Sequence, residues 1–212
     1  YSTDGITWSR ASIPDDLVGD STASQWQAIT YGKGQFVAIA GNDRAVATSA
    51  NGVTWTRVAG NPLPAGENDF VSLEYGNGRY LALQRDGSTQ FSFDAETWSA
   101  ATDAPTEDGS TVMRWRSMKY ADGVFFAICD ANGQLVGGDL DGNNTSFVAT
   151  TEDGITWTGR NLQVAGEYNA IGFGVVAGVP YWIAVREGQA LGGVVRIQTG
   201  CRAKVRANMS GT

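Results

Sequence analysis

Catalytic machinery in this chain would have to be built from carboxylates and arginines, because its 212 residues include no histidine. That absence removes Ser-His-Asp and Cys-His nucleophilic catalysis, histidine-ligated zinc and the commonest general base. Cys129 and Cys201 are too few for a four-thiolate metal site. Gly32-Lys33-Gly34 is too short to cradle a phosphate and reads as a hairpin turn. Glu74, Asp86 and Glu187 are carboxylates that could flank a glycosidic bond, where one acts as acid and another as base or nucleophile. Arg85 and Arg186 each follow an apolar run that would carry them to a common rim. With 22 acidic residues in the chain such pairs also arise by chance, and the residues favour a chain without a catalytic set. Asp139, Asp141 and Asn143 alternate oxygen ligands as a calcium loop does. Asn144 and Thr150 stand where an EF-hand places Gly and Glu, so a solvated loop is the expectation there. No cofactor is expected.

The elements that would position these groups are set by a phrase written four times. It runs Ser2-Thr3-Asp4-Gly5-Ile6-Thr7-Trp8, then Ser49 to Trp55 with Asn51 for Asp, then the degenerate Ser92 to Trp98 with Asp94, then Thr151 to Trp157 with Asp153. The closing tryptophans Trp8, Trp55, Trp98 and Trp157 are 47, 43 and 59 residues apart, a period typical of radial or stacked β arrays. Between them recur a first strand (Trp26-x-x-Ile29-x-Tyr31, Phe70-x-x-Leu73-x-Tyr75, Trp115-x-x-Met118-x-Tyr120, Tyr168-x-x-Ile171-x-Phe173), a tight turn and an apolar second strand. Lys33-Gly34, Asn77-Gly78 and Asp122-Gly123 suit two-residue hairpins, since glycine takes positive φ without penalty. Continuous runs such as Phe36-Val37-Ala38-Ile39 and Phe126-Ala127-Ile128-Cys129 read as strands buried on both faces. A buried free thiol is therefore expected at Cys129. Residues 130–144 read as a surface insertion between a second and a third strand.

The predicted fold is all-β, a propeller of about four four-stranded antiparallel blades over residues 1–190. Residues 1–10 are expected to complete the fourth blade and latch the ring, with all four tryptophans in equivalent buried positions. Residues 191–212 carry Arg196, Arg202, Lys204 and Arg206 and no acid, whereas the first 190 hold 11 basic and 22 acidic residues. This asymmetry predicts a basic β-hairpin outside the ring, the start of a following domain or linker. In the competing arrangement the same residues supply the last strands of the fourth blade. The chain opens inside a repeat without Met, as expected of a processed product or part of something longer.

The phrase resembles the Asp-box of sialidase-like (BNR-like) propellers, one residue shorter between Asp and Gly than the usual box. The resemblance makes Asp4, Asn51, Asp94 and Asp153 hairpin fasteners and the tryptophans packing residues, a structural set. A sialidase would add an arginine cluster at equivalent blade positions, which the twelve arginines do not supply. The longer run from Tyr1 through Ala40 is similar to repeats of bacteriophage tail-fibre, baseplate and other virion proteins. That resemblance implies a non-enzymatic structural or receptor-binding, adhesin-like component of a virion, tail-associated and assembled in a host cytoplasm. Its partners would be other virion proteins, in an oligomer, and a host-surface glycan or protein. A secreted sialidase-like glycoside hydrolase, a carbohydrate-binding propeller and a bacterial surface interaction module are the alternatives. The net charge of −7 argues against non-specific nucleic-acid binding. No apolar run approaches the roughly 18 residues of a membrane span, so no insertion is expected.

Overall fold

The turns between first and second strands take left-handed backbone at both central residues. Lys33-Gly34 has φ of 51° and 82°, Asn77-Gly78 48° and 78°, Asp122-Gly123 51° and 82°, and Ala177-Gly178 52° and 78°. Two successive positive φ values make the primed reversal whose twist matches that of the strands it joins. The structure, a computed structural model, describes residues 1–11, 25–41, 44–60, 62–63, 70–100, 102–104, 114–130, 146–162, 167–187 and 194–198. It has no helix among them.

Among the described residues fifteen strands form four antiparallel meanders. The first contains β1 (Trp26–Gly32), β2 (Gln35–Ala40), β3 (Val46–Ser49) and β4 (Thr56–Arg57). The second contains β5 (Phe70–Gly76), β6 (Arg79–Gln84), β7 (Ser88–Ser92) and β8 (Thr102–Asp103). The third contains β9 (Arg114–Ala121), β10 (Val124–Asp130), β11 (Ser146–Thr151) and β12 (Thr158–Leu162). The fourth contains β13 (Glu167–Val176), β14 (Val179–Glu187) and β15 (Val194–Gln198). First strands pack on one another in order, β1 on β5, β5 on β9 and β9 on β13.

The spacing of the first strands has a physical cause. An aromatic three residues before an aliphatic would lie on the opposite face of a regular strand. Every first strand shifts register between those two residues, at Trp26/Ala28, Phe70/Ser72, Trp115/Ser117 and Tyr168/Ala170. A bulge there returns both side chains to one face. Phe70 and Leu73 thus share a buried cluster with Val37 and Ile39 of the preceding sheet. Trp115 and Met118 meet Leu81 and Leu83, and Tyr168 and Ile171 meet Phe126 and Ile128. The core is therefore a set of apolar layers between successive sheets. The second strands β2, β6 and β10 are buried on both sides, as their unbroken apolar sequences predicted, whereas Ile183 and Val185 of β14 are exposed.

Three expectations are corrected. Val194–Gln198 is not a strand outside the array: it pairs antiparallel with β14, Trp182 opposite Ile197 and Ala184 opposite Val195. The rest of 191–212 lies outside the described residues. Residues 1–10 do not complete the fourth sheet, because β15 holds the place beside β14. Among the described residues no packing comparable to that between neighbouring sheets joins β13 back to β1. Finally, Trp8 is 73% exposed, while Trp55 and Trp98 are buried. A blade must stand beside a box for its tryptophan to be covered, and none does so at Trp8. Cys129 is buried, as foreseen, and its thiol donates to the Phe147 carbonyl at 3.2 Å. The insertion lies outside the described residues, and its flanking strands β10 and β11 pair directly.

Candidate functional site

The repeated phrase folds into one local network in all four copies. In the fourth, Asp153 Oδ1 accepts the N–H groups of Ile155 and Thr156, both at 2.8 Å, and the Thr151 hydroxyl at 3.0 Å. Thr151 Oγ1 in turn accepts the N–H of Gly154 at 2.8 Å. Asp4, Asn51 and Asp94 repeat the pattern. A carboxylate that accepts several donors is favoured in its charged form. The N–H groups of Thr7 and Ile6, with the Ser2 hydroxyl, lower Asp4 to about 2. Asp94 and Asp153 are lowered as well, chiefly by the N–H groups of Thr97 and Thr156. The indole N–H of Trp8, Trp55 and Trp98 donates back to the carbonyl three residues earlier. The Trp157 indole nitrogen departs from this rule, being buried with no partner.

The third and fourth boxes are also gripped by the blade before each. Lys33 Nζ donates to the Phe93 carbonyl at 3.0 Å, and Asn77 Nδ2 donates to the Glu152 carbonyl at 2.8 Å. Phe93 and Glu152 occupy the same place in their boxes, one residue after the opening Ser92 or Thr151. Arg79 adds a 2.6 Å bond to the Asp153 carbonyl while its guanidinium lies 5.2 Å from the ring centres of both Phe91 and Phe93. Such a cation over aromatic faces is held by the ring quadrupoles.

Beside the fourth box lies a shallow cavity of about 380 Å³. Val124, Thr150, Thr151, Glu152, Asp153, Thr156, Thr158 and Arg160 line it, with Thr151 Oγ1 and Asp153 Oδ1 engaged in the box network. Thr150 and Thr158 face each other directly across β11 and β12. Sequence reading named Asp153 as a structural residue and missed Thr150, Thr158 and Arg160. The Thr150-Thr151 and Thr156-x-Thr158 runs around the turn were the available signal.

The carboxylates considered for hydrolysis are not brought together. Glu74 on β5 pairs with Lys119 Nζ at 3.0 Å and accepts the Tyr120 N–H at 3.4 Å. Asp86 caps its own turn by accepting the Ser88 N–H at 2.9 Å. Arg85 gives its carbonyl to the Trp115 N–H, and Arg186 and Glu187 end β14 opposite Tyr168 and Glu167. Asp139, Asp141 and Asn143 lie outside the described residues. Among the described residues no group of three His, Cys, Asp or Glu side chains is arranged to hold a metal, and no helix is long and apolar enough to cross a membrane.

No family model matches the chain, and no curated protein matches it. Solved structures do. A computationally designed protein, Ika4, superposes over 92% of this chain and 100% of its own, with a TM-score of 0.54 and 13% identity. The fold is a β-propeller. Other neighbours are the GH43B protein of the Bacteroides ovatus xyloglucan locus (TM-score 0.52, 12% identity, 84% of this chain) and virginiamycin B lyase from Staphylococcus aureus (0.54, 9%, 86%). The chain spans 40% and 58% of those two chains. At such identities the likeness reaches the fold alone. It nevertheless overturns the expectation of a non-enzymatic chain, because the neighbours of this propeller are mostly enzymes. Lack of histidine in a repeat-built β array is no ground for excluding catalysis.

Proposed function

We propose that this propeller is a ligand-binding module of a bacteriophage tail that engages a host-surface glycan. The observation that carries the reading is the cavity beside the fourth box, lined by four threonines, two acidic residues, an arginine and a valine, with polar and apolar surface side by side. Sugars offer dense alternating donors and acceptors with apolar ring faces, and a site made of such groups discriminates by hydrogen-bond pairing. The virion assignment is supported by the resemblance of the Asp-box and Trp-Gln-Ala-Ile-Thr-Tyr-Gly repeats to those of virion proteins. A carbohydrate-processing propeller is the second reading, favoured by the GH43B neighbour. A glycan array run beside a hydrolase and lyase screen separates them. Glycan binding lost in Thr158→Val and Arg160→Ala supports the first reading. Turnover selects the second, and absence of glycan binding overturns the ligand. Mass spectrometry of purified particles tests the virion assignment.

A further inference from the structure

We propose that the two end faces of the propeller array are the halves of one interface, and that a second copy of this chain occupies both, head to tail. The proposal is independent of the ligand suggested above.

Inside the chain two of the three seams follow one rule. The tyrosine of a first strand lies over the glycine that ends the first strand of the preceding blade, while Phe173 and Ala121 hold those places at the third seam. A β-carbon on Gly32 would sit within the Tyr75 ring, and one on Gly76 within the Tyr120 ring. Glycine here is required by close approach, since neither position has a positive φ. The same position on β13 is Gly174, and nothing lies within 4 Å of where its β-carbon would be. The tyrosine of the same rule on β1 is Tyr31, which is 58% exposed. One end of the array thus presents an unseated ring and the other an unfilled seat.

The surrounding positions agree. Leu73 and Met118 are buried against the preceding blade, while Ile29, their counterpart on β1, is 58% exposed. Leu81 and Leu83 are fully buried against the following blade, while Ile183 and Val185, their counterparts on β14, are 38% and 44% exposed. Repeat arrays ordinarily finish in units with polar outer faces. Here both terminal faces keep the apolar pattern of interior ones. The occupant that fits each is a blade of the opposite end, and a second copy supplies both at once. A head-to-tail contact either closes or propagates; two copies that each use both faces leave no apolar edge open.

Sedimentation of the 212-residue chain over a wide concentration range tests this. The expected species has about twice the 22.4 kDa chain mass. Gly174→Arg, at a position where an added β-carbon meets nothing within 4 Å, and Ile29→Glu at an exposed position should each halve that mass while the circular-dichroism spectrum of the folded β array is retained. Two substitutions at opposite ends keep the test valid if one of them perturbs folding. A wild-type chain that is monomeric at every concentration overturns the proposal and leaves the faces to blades of a longer protein. A dimer indifferent to both substitutions overturns it in favour of another surface. Open-ended polymers sensitive to both overturn closure at two copies.

Discussion

The phenol of Tyr80 donates a 2.7 Å hydrogen bond to the carbonyl of Gly32, crossing from the second blade to the first. The oxygen also receives the Gln35 side-chain amide at 3.4 Å, and the residue is fully buried. Tyr80→Phe leaves the Gly32 carbonyl without that donor and should cost about 1–2 kcal/mol in a urea melt. Burial raises the phenol above its ordinary value of 10.0. A group raised in the folded state keeps its contribution below the unfolded value and loses it as pH climbs through the folded one. Stability should therefore fall above about pH 10, less steeply in Tyr80→Phe. An unchanged alkaline slope in that variant would assign the fall to other groups.

Two glycines at the same box position separate backbone strain from steric fit. Gly5 and Gly154 have φ of 72° and 73°. A β-carbon at Gly5 meets nothing, whereas one at Gly154 lies 2.6 Å from Leu81 Cδ1 of the second blade. Gly5→Ala should cost about 1 kcal/mol from the left-handed backbone alone. Gly154→Ala should cost about 2–4 kcal/mol, the same strain plus overpacking. Equal costs in calorimetry would show that the seam yields freely.

Trp55 and Trp8 close identical boxes in different surroundings. Trp55→Ala removes a buried ring beside Phe36 and should cost about 3–5 kcal/mol. Trp8→Ala should change stability by no more than about 0.5 kcal/mol in the isolated chain, as surface substitutions do. Denaturant midpoints measured side by side decide it, and a large Trp8 effect would mean that its face is covered in solution.

Acid should act on the boxes selectively. Asp94 and Asp153 are lowered by main-chain donors in the folded state, so their contribution is complete above the unfolded value near 3.8 and is lost as pH falls below it. The first box behaves likewise, between 3.8 and about 2 at Asp4, where full exposure keeps the effect on global stability small. Asn51 holds the second box without an ionisable group. Asp94→Asn and Asp153→Asn should each flatten the melting temperature between pH 4 and pH 2, whereas Asn51→Asp should steepen it. Parallel curves for all four proteins would remove the boxes from the acid response.

Much of the blade was legible because it is encoded locally. Asp153 and Gly154 determine a turn through bonds within three residues, and Asn77-Gly78 determines a hairpin through its own backbone. The Phe70-x-x-Leu73 spacing even carried the bulge, had its break in alternation been taken as a register shift. What stayed hidden depends on partners distant in sequence. Trp8 and Trp55 read the same, and only the presence or absence of a covering blade tells them apart. Val194–Gln198 has ordinary strand residues, so its docking on β14 follows from an edge left free there and not from any signature of its own. The cavity was missed for the same reason: Thr150 and Thr158 meet across two strands.

The grip of one blade on the next has an evolutionary corollary. Lys33 and Asn77 hold the residues at Phe93 and Glu152 by main-chain carbonyls, so these two bonds do not inspect the side chain at that place. Thr3, Ala50, Phe93 and Glu152 are indeed four unrelated residues there. Copies can therefore drift at this exposed position, or be exchanged between chains, while the mechanical coupling persists. A lineage under pressure to change what its surface touches has, in that one residue per blade, somewhere to vary without loosening the frame.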